Sequence, residues 1–152
     1  MDNVDIKIIN ALVANSRAST TSIADTLKIS NVATQQRIKK LEQSGVIKKY
    51  TTVVDFSLLE FKTIAYLGIF LEKAKNYAEV IAEMEKVPNV LEAHFTTGTY
   101  SIFAKIFARD NIHLMETLSN HIQNIDGIAR TETFISLQEG INKSIELEML
   151  EK

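Results

Sequence analysis

The 152-residue sequence contains no cysteine and no tryptophan, and it has only one proline and five glycines. Without cysteine there is no disulfide framework, no thiolate zinc site and no thiol nucleophile, a composition that suits a reducing compartment. The scarcity of proline and glycine, together with 45% hydrophobic and 24% charged residues, excludes a collagen-like or low-complexity chain. The composition therefore predicts an ordinary folded globular protein.

The sequence also lacks a long apolar run. Its hydrophobic stretches, such as Ile64 to Leu71, are far shorter than the ~20 residues that a membrane-spanning helix needs. The opening residues do not have the pattern of a signal peptide. We therefore expect a cytoplasmic protein that does not insert into a membrane.

Charge is distributed unevenly along the chain, although the formal net charge is only −2. Residues 1–50 carry 8 Lys and Arg against 4 Asp and Glu, a net charge of +4, whereas the remainder carries 9 against 15, a net charge of −6. Positive charge concentrated in one part of a chain is typical of a segment that binds nucleic acid.

Residues 19–45 predict two short helices joined by a tight turn. Ser30 can cap the second helix, and Gly45 suits the left-handed residue that commonly closes a helix. A further amphipathic helix is predicted over residues 2–14, and a basic extended segment over residues 46–50. Three helices followed by a basic strand form a winged helix-turn-helix.

The second helix of this pair divides into two faces, because Thr34, Ile38 and Leu41 form an inward stripe. On the outward face, Asn and Gln amides can pair with adenine in the major groove, and a valine can touch a thymine methyl. Phosphate contacts add affinity without reading sequence. The expected base-reading residues are Asn31, Val32, Gln35, Gln36 and Lys39, and the expected phosphate contacts are Ser30, Arg37, Lys40, Lys48 and Lys49. The alternative is a solvated face on an ordinary helical hairpin, but the charge distribution favours DNA.

The remainder of the chain predicts an α+β fold with four strands and two helices. We expect strands over residues 63–71, 90–96, 100–108 and 128–137, and helices over residues 76–87 and 111–125. This βαββαβ order is that of a ferredoxin-like unit. The pattern beyond Gly140 fits either a helix or a strand.

These patterns divide the chain into three parts. We expect a DNA-binding domain over residues 1–50, a hinge strand and linker over residues 51–62, and a ferredoxin-like domain for effector binding and oligomerisation over residues 63–152. In the strand over residues 63–71, both faces are apolar. Because a two-layer sheet covers only one face with its own helices, the second apolar face predicts dimerisation.

The order of these motifs resembles the Lrp/AsnC, or feast/famine, family of prokaryotic transcription regulators. The resemblance is carried by Asp5, Ile8, Leu12, the IADTLKIS block at residues 23–30, Arg37, Ile38, Leu41, Glu42, Gly45, Val46, Ile47, Tyr50, and TTGTYS at residues 96–101. It implies DNA binding by the first half of the chain and dimers built through the sheets of the second half, often assembled into octamers. It also implies an amino-acid effector held where second-half domains of different dimers meet.

In relatives that bind amino acids, the turn between the second and third strands commonly reads Thr-Gly-x-Tyr-Asp. Here Ser101 stands at the aspartate position, and a serine hydroxyl offers a neutral hydrogen bond of about 1 kcal/mol where a carboxylate would pair with an ammonium. The expected effector-binding residues are Thr97, Gly98, Thr99, Tyr100, Ser101, Thr131 and Thr133. A simple turn glycine and β-forming threonines fit the same pattern, so an effector-independent local or architectural DNA-binding protein is an alternative.

An enzyme is a weaker alternative, suggested by the small oxygenases and isomerases that share the ferredoxin-like unit. His113 and His121 are eight residues apart on one predicted helix, a spacing that does not bring two imidazoles to one metal, and His94 is alone on its strand. The sequence has no nucleophile motif, phosphate loop or paired carboxylates in an apolar setting. We expect no enzyme activity, no metal site and no cofactor.

Overall fold

The computed structural model describes residues 1–143, which form two compact units. Among the described residues, the first unit is Met1–Val53 together with residues 141–143, and the second is Val54–Gly140. Residues 141–143 are in neither helix nor strand, and the rest of the C-terminal segment, whose type the sequence left open, lies outside the described residues. Within the described residues, no helix has the length and apolar character needed to cross a membrane.

The first unit contains three helices, α1 (Asn3–Ala14), α2 (Thr20–Leu27) and α3 (Asn31–Gln43). Each begins at a polar residue, Asp2, Ser19 or Ser30, whose side chain accepts a hydrogen bond from a free N–H of the first turn. The helices bury a common apolar core that consists of Ile8, Ile9, Leu12, Ile23 and Leu41. The predicted three-helix arrangement is confirmed.

The turn between α2 and α3 is closed by Lys28, whose φ of 55° is left-handed. The next residue, Ile29, donates its N–H to the Ala24 carbonyl at 3.1 Å. After α3, Gly45 has a φ of 75°, a conformation that glycine adopts without steric cost. The turn before α3 and the end of α3 are therefore both set by the conformation of single backbone residues.

The expected basic strand over residues 46–50 is not formed. This segment and residues 51–55 are irregular, and Phe56–Leu59 forms a single 3₁₀ turn that begins at Asp55. A strand needs a neighbouring strand to satisfy its backbone groups, and no ladder within the described residues includes this segment. The prediction of a wing strand and of a hinge strand is wrong for the single chain.

The second unit contains one antiparallel sheet with helices on one face. Its elements are β1 (Thr63–Leu71), α4 (Tyr77–Met84), β2 (Val90–Phe95), β3 (Ile102–Ala108), α5 (Asn111–Thr117) and β4 (Ile128–Ser136). A 3₁₀ turn, Ala74–Asn76, precedes α4, and a π-helical turn, Leu118–Ile122, continues α5. The strand order β2-β3-β1-β4 is that of the predicted ferredoxin-like unit.

The core of the second unit lies between the sheet and the two helices. Its fully buried side chains include Leu67 and Ile69 of β1, Val80 and Met84 of α4, and Ile122 after α5. The strands β2 and β3 are shorter than predicted, because residues 96–101 form a six-residue loop instead of a tight turn. Helix α5 is also shorter than predicted, since its last turn widens to a π-helical turn.

Candidate functional site

The face of α3 that points away from the core carries the expected base-reading residues. Thr34 and Leu41 are buried, so the opposite side of the helix faces solvent. Asn31, Val32, Gln35, Gln36 and Lys39 are all exposed there. Val32 is 64% exposed on this amide-rich face, which places an apolar contact beside hydrogen-bonding groups.

The N-terminus of α3 is held by its cap and by α2. Ser30 Oγ accepts the Ala33 N–H at 3.1 Å, and Asn31 Nδ2 donates to Thr21 Oγ1 of α2 at 3.2 Å. The Ser30 hydroxyl oxygen, which was expected at a phosphate, is thus engaged as a helix cap. The first turn of α3, the part of a reading helix that meets base edges, is therefore fixed against its neighbour.

The three lysines of the expected phosphate-binding set are all exposed, Lys40 on α3 and Lys48 and Lys49 after it. The segment with the last two lysines returns to α3 at Tyr50, whose hydroxyl donates to Glu42 Oε1 at 2.9 Å. Desolvation, and then this hydrogen bond, raises the pKa of Tyr50. The tyrosine therefore stays protonated and continues to donate at neutral pH.

Arg37 differs from the other expected phosphate contacts because carboxylates of the same chain already surround it. Its Nη1 lies 3.0 and 2.8 Å from the two carboxylate oxygens of Asp2 and 2.7 Å from Oδ1 of Asp5. The Arg37 guanidinium is therefore already paired within the first unit, and its role as a phosphate contact stays a prediction.

The loop between β2 and β3 holds five of the expected effector-binding residues. The Thr96 N–H donates to the Ser101 carbonyl at 3.0 Å, and the Thr96 hydroxyl donates to the Tyr100 carbonyl. Ser101 joins the loop to β1, because its N–H donates to the Ile69 carbonyl at 2.9 Å and its Oγ accepts the Leu71 N–H at 3.4 Å. The Ser101 hydroxyl oxygen therefore accepts a hydrogen bond from the backbone, and the hydroxyl O–H can still donate to a further acceptor.

Tyr100 leaves this loop and lies across the face of the sheet that has no helices. Its ring covers Gly68, where an added Cβ would meet the ring carbons at 2.5 to 2.7 Å. Its hydroxyl donates to Glu132 Oε2 on β4 at 2.8 Å, and Glu132 Oε1 lies 3.0 Å from Arg130 Nη1. The hydrogen bond to Glu132 raises the pKa of Tyr100. Tyr100 thus connects the loop to β4 across β1.

The remaining expected effector residues are not all brought together. Thr131 and Thr133 pair with Ile69 and Leu67 of β1, so they lie on the helix-bearing face, opposite to Tyr100. Thr131 Oγ1 accepts a hydrogen bond from Gln123 at 3.1 Å. Within one chain, the threonine pair and the tyrosine cannot contact the same small ligand.

Gly98 has room for a side chain. An added Cβ would have no atom within 4 Å, and the φ of Gly98 is not left-handed. A side chain at this position would therefore not obstruct the loop within the single chain. Its position on an exposed loop remains compatible with backbone amides that approach a ligand.

Two residues of this region, Gly68 and Glu132, were missed by the sequence reasoning. A glycine inside an apolar strand often marks the close approach of another group, so Gly68 carried a usable signal. Glu132 belongs to no motif, and its pairing with Tyr100 depends on the position of β4 beside β1. No local sequence feature identifies it.

The three histidines lie on different elements, His94 on β2, His113 on α5 and His121 in the π-helical turn after it. His94 is exposed beside Glu92, and His113 accepts the Arg109 N–H at 3.1 Å next to Asn89. Among the described residues, no group of three or more His, Cys, Asp or Glu side chains is placed to hold a metal ion.

Comparison with known proteins agrees with this geometry in both units. The AsnC-type helix-turn-helix domain matches residues 1–42, and the Lrp/AsnC ligand binding domain matches residues 64–144. The regulatory protein AsnC of Haemophilus influenzae is 36% identical over 145 residues, which are 95% of this chain and 97% of that protein. The HTH-type transcriptional regulator FL11 of Pyrococcus horikoshii is 33% identical over 91% of this chain and 90% of its own.

Solved structures give the same result. The structure of Escherichia coli AsnC has a TM-score of 0.90 at 36% identity and covers 96% of this chain and 98% of its own. A transcriptional regulator of Neisseria meningitidis in complex with L-Met has a TM-score of 0.91 over 99% of both chains, but its 23% identity shows the fold alone. These matches point to regulators of transcription rather than to enzymes. The chain belongs to the Lrp/AsnC family of transcription regulators.

Proposed function

We propose that this regulator binds double-stranded DNA as a homodimer and reads bases with the exposed face of α3. The observation that carries the proposal is the row of exposed amides and Lys39 on a helix whose first turn is fixed by Ser30 and by α2. Gln and Asn side chains in this position can pair with adenine in the major groove. Lys40, Lys48 and Lys49 supply the phosphate contacts.

Base reading and phosphate binding give different results upon mutation. Replacement of Gln35 or Gln36 by alanine should reduce preference at one base position by ~1–3 kcal/mol, because each removes an amide that contacts a base edge. Replacement of Lys40 by alanine should weaken binding to all DNA sequences similarly and reduce the slope of log affinity against log salt concentration by about 1. Fluorescence anisotropy titrations at several salt concentrations measure both effects. Equal weakening of specific and random DNA by the glutamine variants would contradict the assignment.

The surface proposed to join the two subunits is the helix-free face of the sheet. Tyr66 and Phe103 stack there with ring centroids 5.8 Å apart, and Phe70 and Phe134 lie 5.2 and 6.0 Å from the Tyr100 ring. Phe134 is 46% exposed, and burial of such rings against a second copy removes apolar area from water. We propose that this face forms the two-fold interface, and that such dimers assemble further into an octamer.

We also propose that the loop over residues 96–101 binds an amino acid or a related metabolite, with backbone amides near Gly98 holding its carboxylate. The L-Met complex of the Neisseria meningitidis regulator supports an amino-acid effector. Because Thr131 and Thr133 lie on the other face of the sheet, they can join the same site only from a different subunit. This arrangement is compatible with an effector site between dimers.

A thermal shift screen with the common amino acids tests the effector. A ligand at ~100 times its dissociation constant adds ~2.7 kcal/mol to the free energy of unfolding. The Ser101→Asp variant should respond more strongly to at least one α-amino acid, because a carboxylate pairs with the ammonium more strongly than a hydroxyl does. If neither the unmodified chain nor Ser101→Asp responds to any amino acid, the effector-independent alternative is favoured. That outcome would agree with the hydrogen bond that the Ser101 hydroxyl oxygen already accepts from the Leu71 N–H.

A further inference from the structure

Arg37 ties the reading helix to the beginning of α1. One guanidinium nitrogen, Nη1, contacts three carboxylate oxygens within 3.0 Å, two from Asp2 and one from Asp5. These residues are 35 and 32 positions away in sequence. The contact is therefore a tertiary one between α3 and α1, and not a local pair along one helix.

The two carboxylates are themselves held in place by the backbone of α1. Asp2 Oδ1 accepts the Asp5 N–H at 2.9 Å, and Asp5 Oδ2 accepts the Asp2 N–H at 2.9 Å, which is a reciprocal capping box. The hydrogen bond from the Asp5 N–H, and then the one from Arg37, lowers the pKa of Asp2. Asp2 is therefore ionised at neutral pH, and Arg37 meets an acceptor pair that the backbone holds in place rather than two mobile side chains.

The position of this contact on α3 matters for DNA recognition. Arg37 directly follows Gln36, a proposed base-reading residue, and precedes Lys40, a proposed phosphate contact, by three positions. Gln36, Lys40 and Arg37 line one open cavity together with Asp2 and Asp5. A rotation of α3 about its axis large enough to break the three contacts at Nη1 would also move Gln36.

We infer that Arg37 is a positioning residue, which sets the rotation of α3 through Asp2 and Asp5 and does not itself bind a phosphate. This inference rests on the proposed DNA-binding function. Exposed ion pairs contribute little to the stability of a fold, and the Arg37 and Asp2 side chains are 34% and 55% exposed, whereas the Asp5 side chain is 14% exposed. Loss of the contact should therefore lower both thermal stability and sequence preference, and the loss of sequence preference is the effect that reports the position of α3.

The experiment compares the full-length chain with Arg37→Gln, with the double variant Asp2→Asn and Asp5→Asn, and with Lys40→Gln as the matched control. Asparagine at position 2 still caps α1, so the double variant removes the charges and keeps the helix start. A duplex selected from a random library and a random duplex serve as probes, and affinity for each is measured from low to high salt.

We expect Arg37→Gln and the double acidic variant to lower the ratio of selected to random affinity by about tenfold, the loss typical of one mismatched base contact. Combining all three changes should lower the ratio no further, because the residues act through one contact. The salt slope should stay unchanged in Arg37→Gln and fall by about 0.9 in Lys40→Gln.

Two results would overturn the inference. A fall of about 0.9 in the salt slope of Arg37→Gln, with an unchanged or higher affinity in the double acidic variant, would make Arg37 a phosphate contact. An unchanged affinity ratio in Arg37→Gln would show that the contact does not position α3. If the unmodified chain and Lys40→Gln show no salt-dependent DNA binding at all, the proposed function itself fails, and this outcome is distinct from the other two.

Discussion

Replacement of Gly68 by alanine should displace the Tyr100 ring from the sheet and destabilise the second unit. The added Cβ would lie 2.5 Å from ring carbon Cδ1 of Tyr100, a distance that the structure can relieve only by moving the ring. Overpacking of this kind typically costs 1–3 kcal/mol, and the displaced ring would also lose its hydrogen bond to Glu132. The free energy of unfolding should therefore fall by about 1–3 kcal/mol.

Gly98→Ala is the matched control for this prediction, because a Cβ at Gly98 meets no atom within 4 Å. It should leave stability nearly unchanged. Urea unfolding measures the free energy of unfolding of each variant. The chain has four tyrosines and no tryptophan, so its near-ultraviolet circular dichroism reports the packing of the tyrosine rings. Equal stability of Gly68→Ala and the unmodified chain, with an unchanged tyrosine spectrum, would contradict the packing described here.

Charges introduced on the two faces of the sheet should have different consequences. Leu67 on β1 is 0% exposed beneath the helices, so Leu67→Glu buries an unpaired charge and should cost more than about 4 kcal/mol, enough to unfold the unit. Phe103 on β3 lies on the helix-free face, stacked on Tyr66. Phe103→Glu should leave the chain folded but prevent dimerisation.

Circular dichroism and analytical ultracentrifugation separate these two outcomes. A folded Leu67→Glu protein would contradict the assignment of the core face. A Phe103→Glu protein that remains a dimer would exclude the helix-free face as the interface, whereas a monomer with a native spectrum would support it.

Much of the fold could be predicted from the sequence because its signals are local. The cap at Ser30 and the closing Gly45 are each encoded by one residue and its neighbours, and the structure places the two ends of α3 there. The strand over residues 63–71 could be predicted with its bounds, because its run of β-branched, aromatic and aliphatic residues is long, with Gly68 as its one interruption. The apolar pattern could not tell which face carries the helices, so the role of Leu67 required the structure.

The parts that could not be predicted depend on contacts between distant residues. A basic β-branched stretch such as residues 46–50 has the composition of a strand, but a strand forms only where a partner strand is available. Arg37 has the sequence position of a phosphate contact, and only the fold brings Asp2 and Asp5 to it. Likewise, the Tyr100 ring, Gly68 and Glu132 come from three different parts of the chain.

In the proposed function, two copies of α3 read a two-fold symmetric DNA site. Selection of duplexes from a random library by the full-length chain tests this most directly, since no target needs to be known in advance. We expect a pseudo-palindromic sequence whose half-sites are about 34 Å, one helical turn, or a multiple of it apart. Gln36→Ala should relax the preference at one position in each half-site. Selected sequences without dyad symmetry, or no enrichment over random DNA, would show that the protein does not bind DNA in this way.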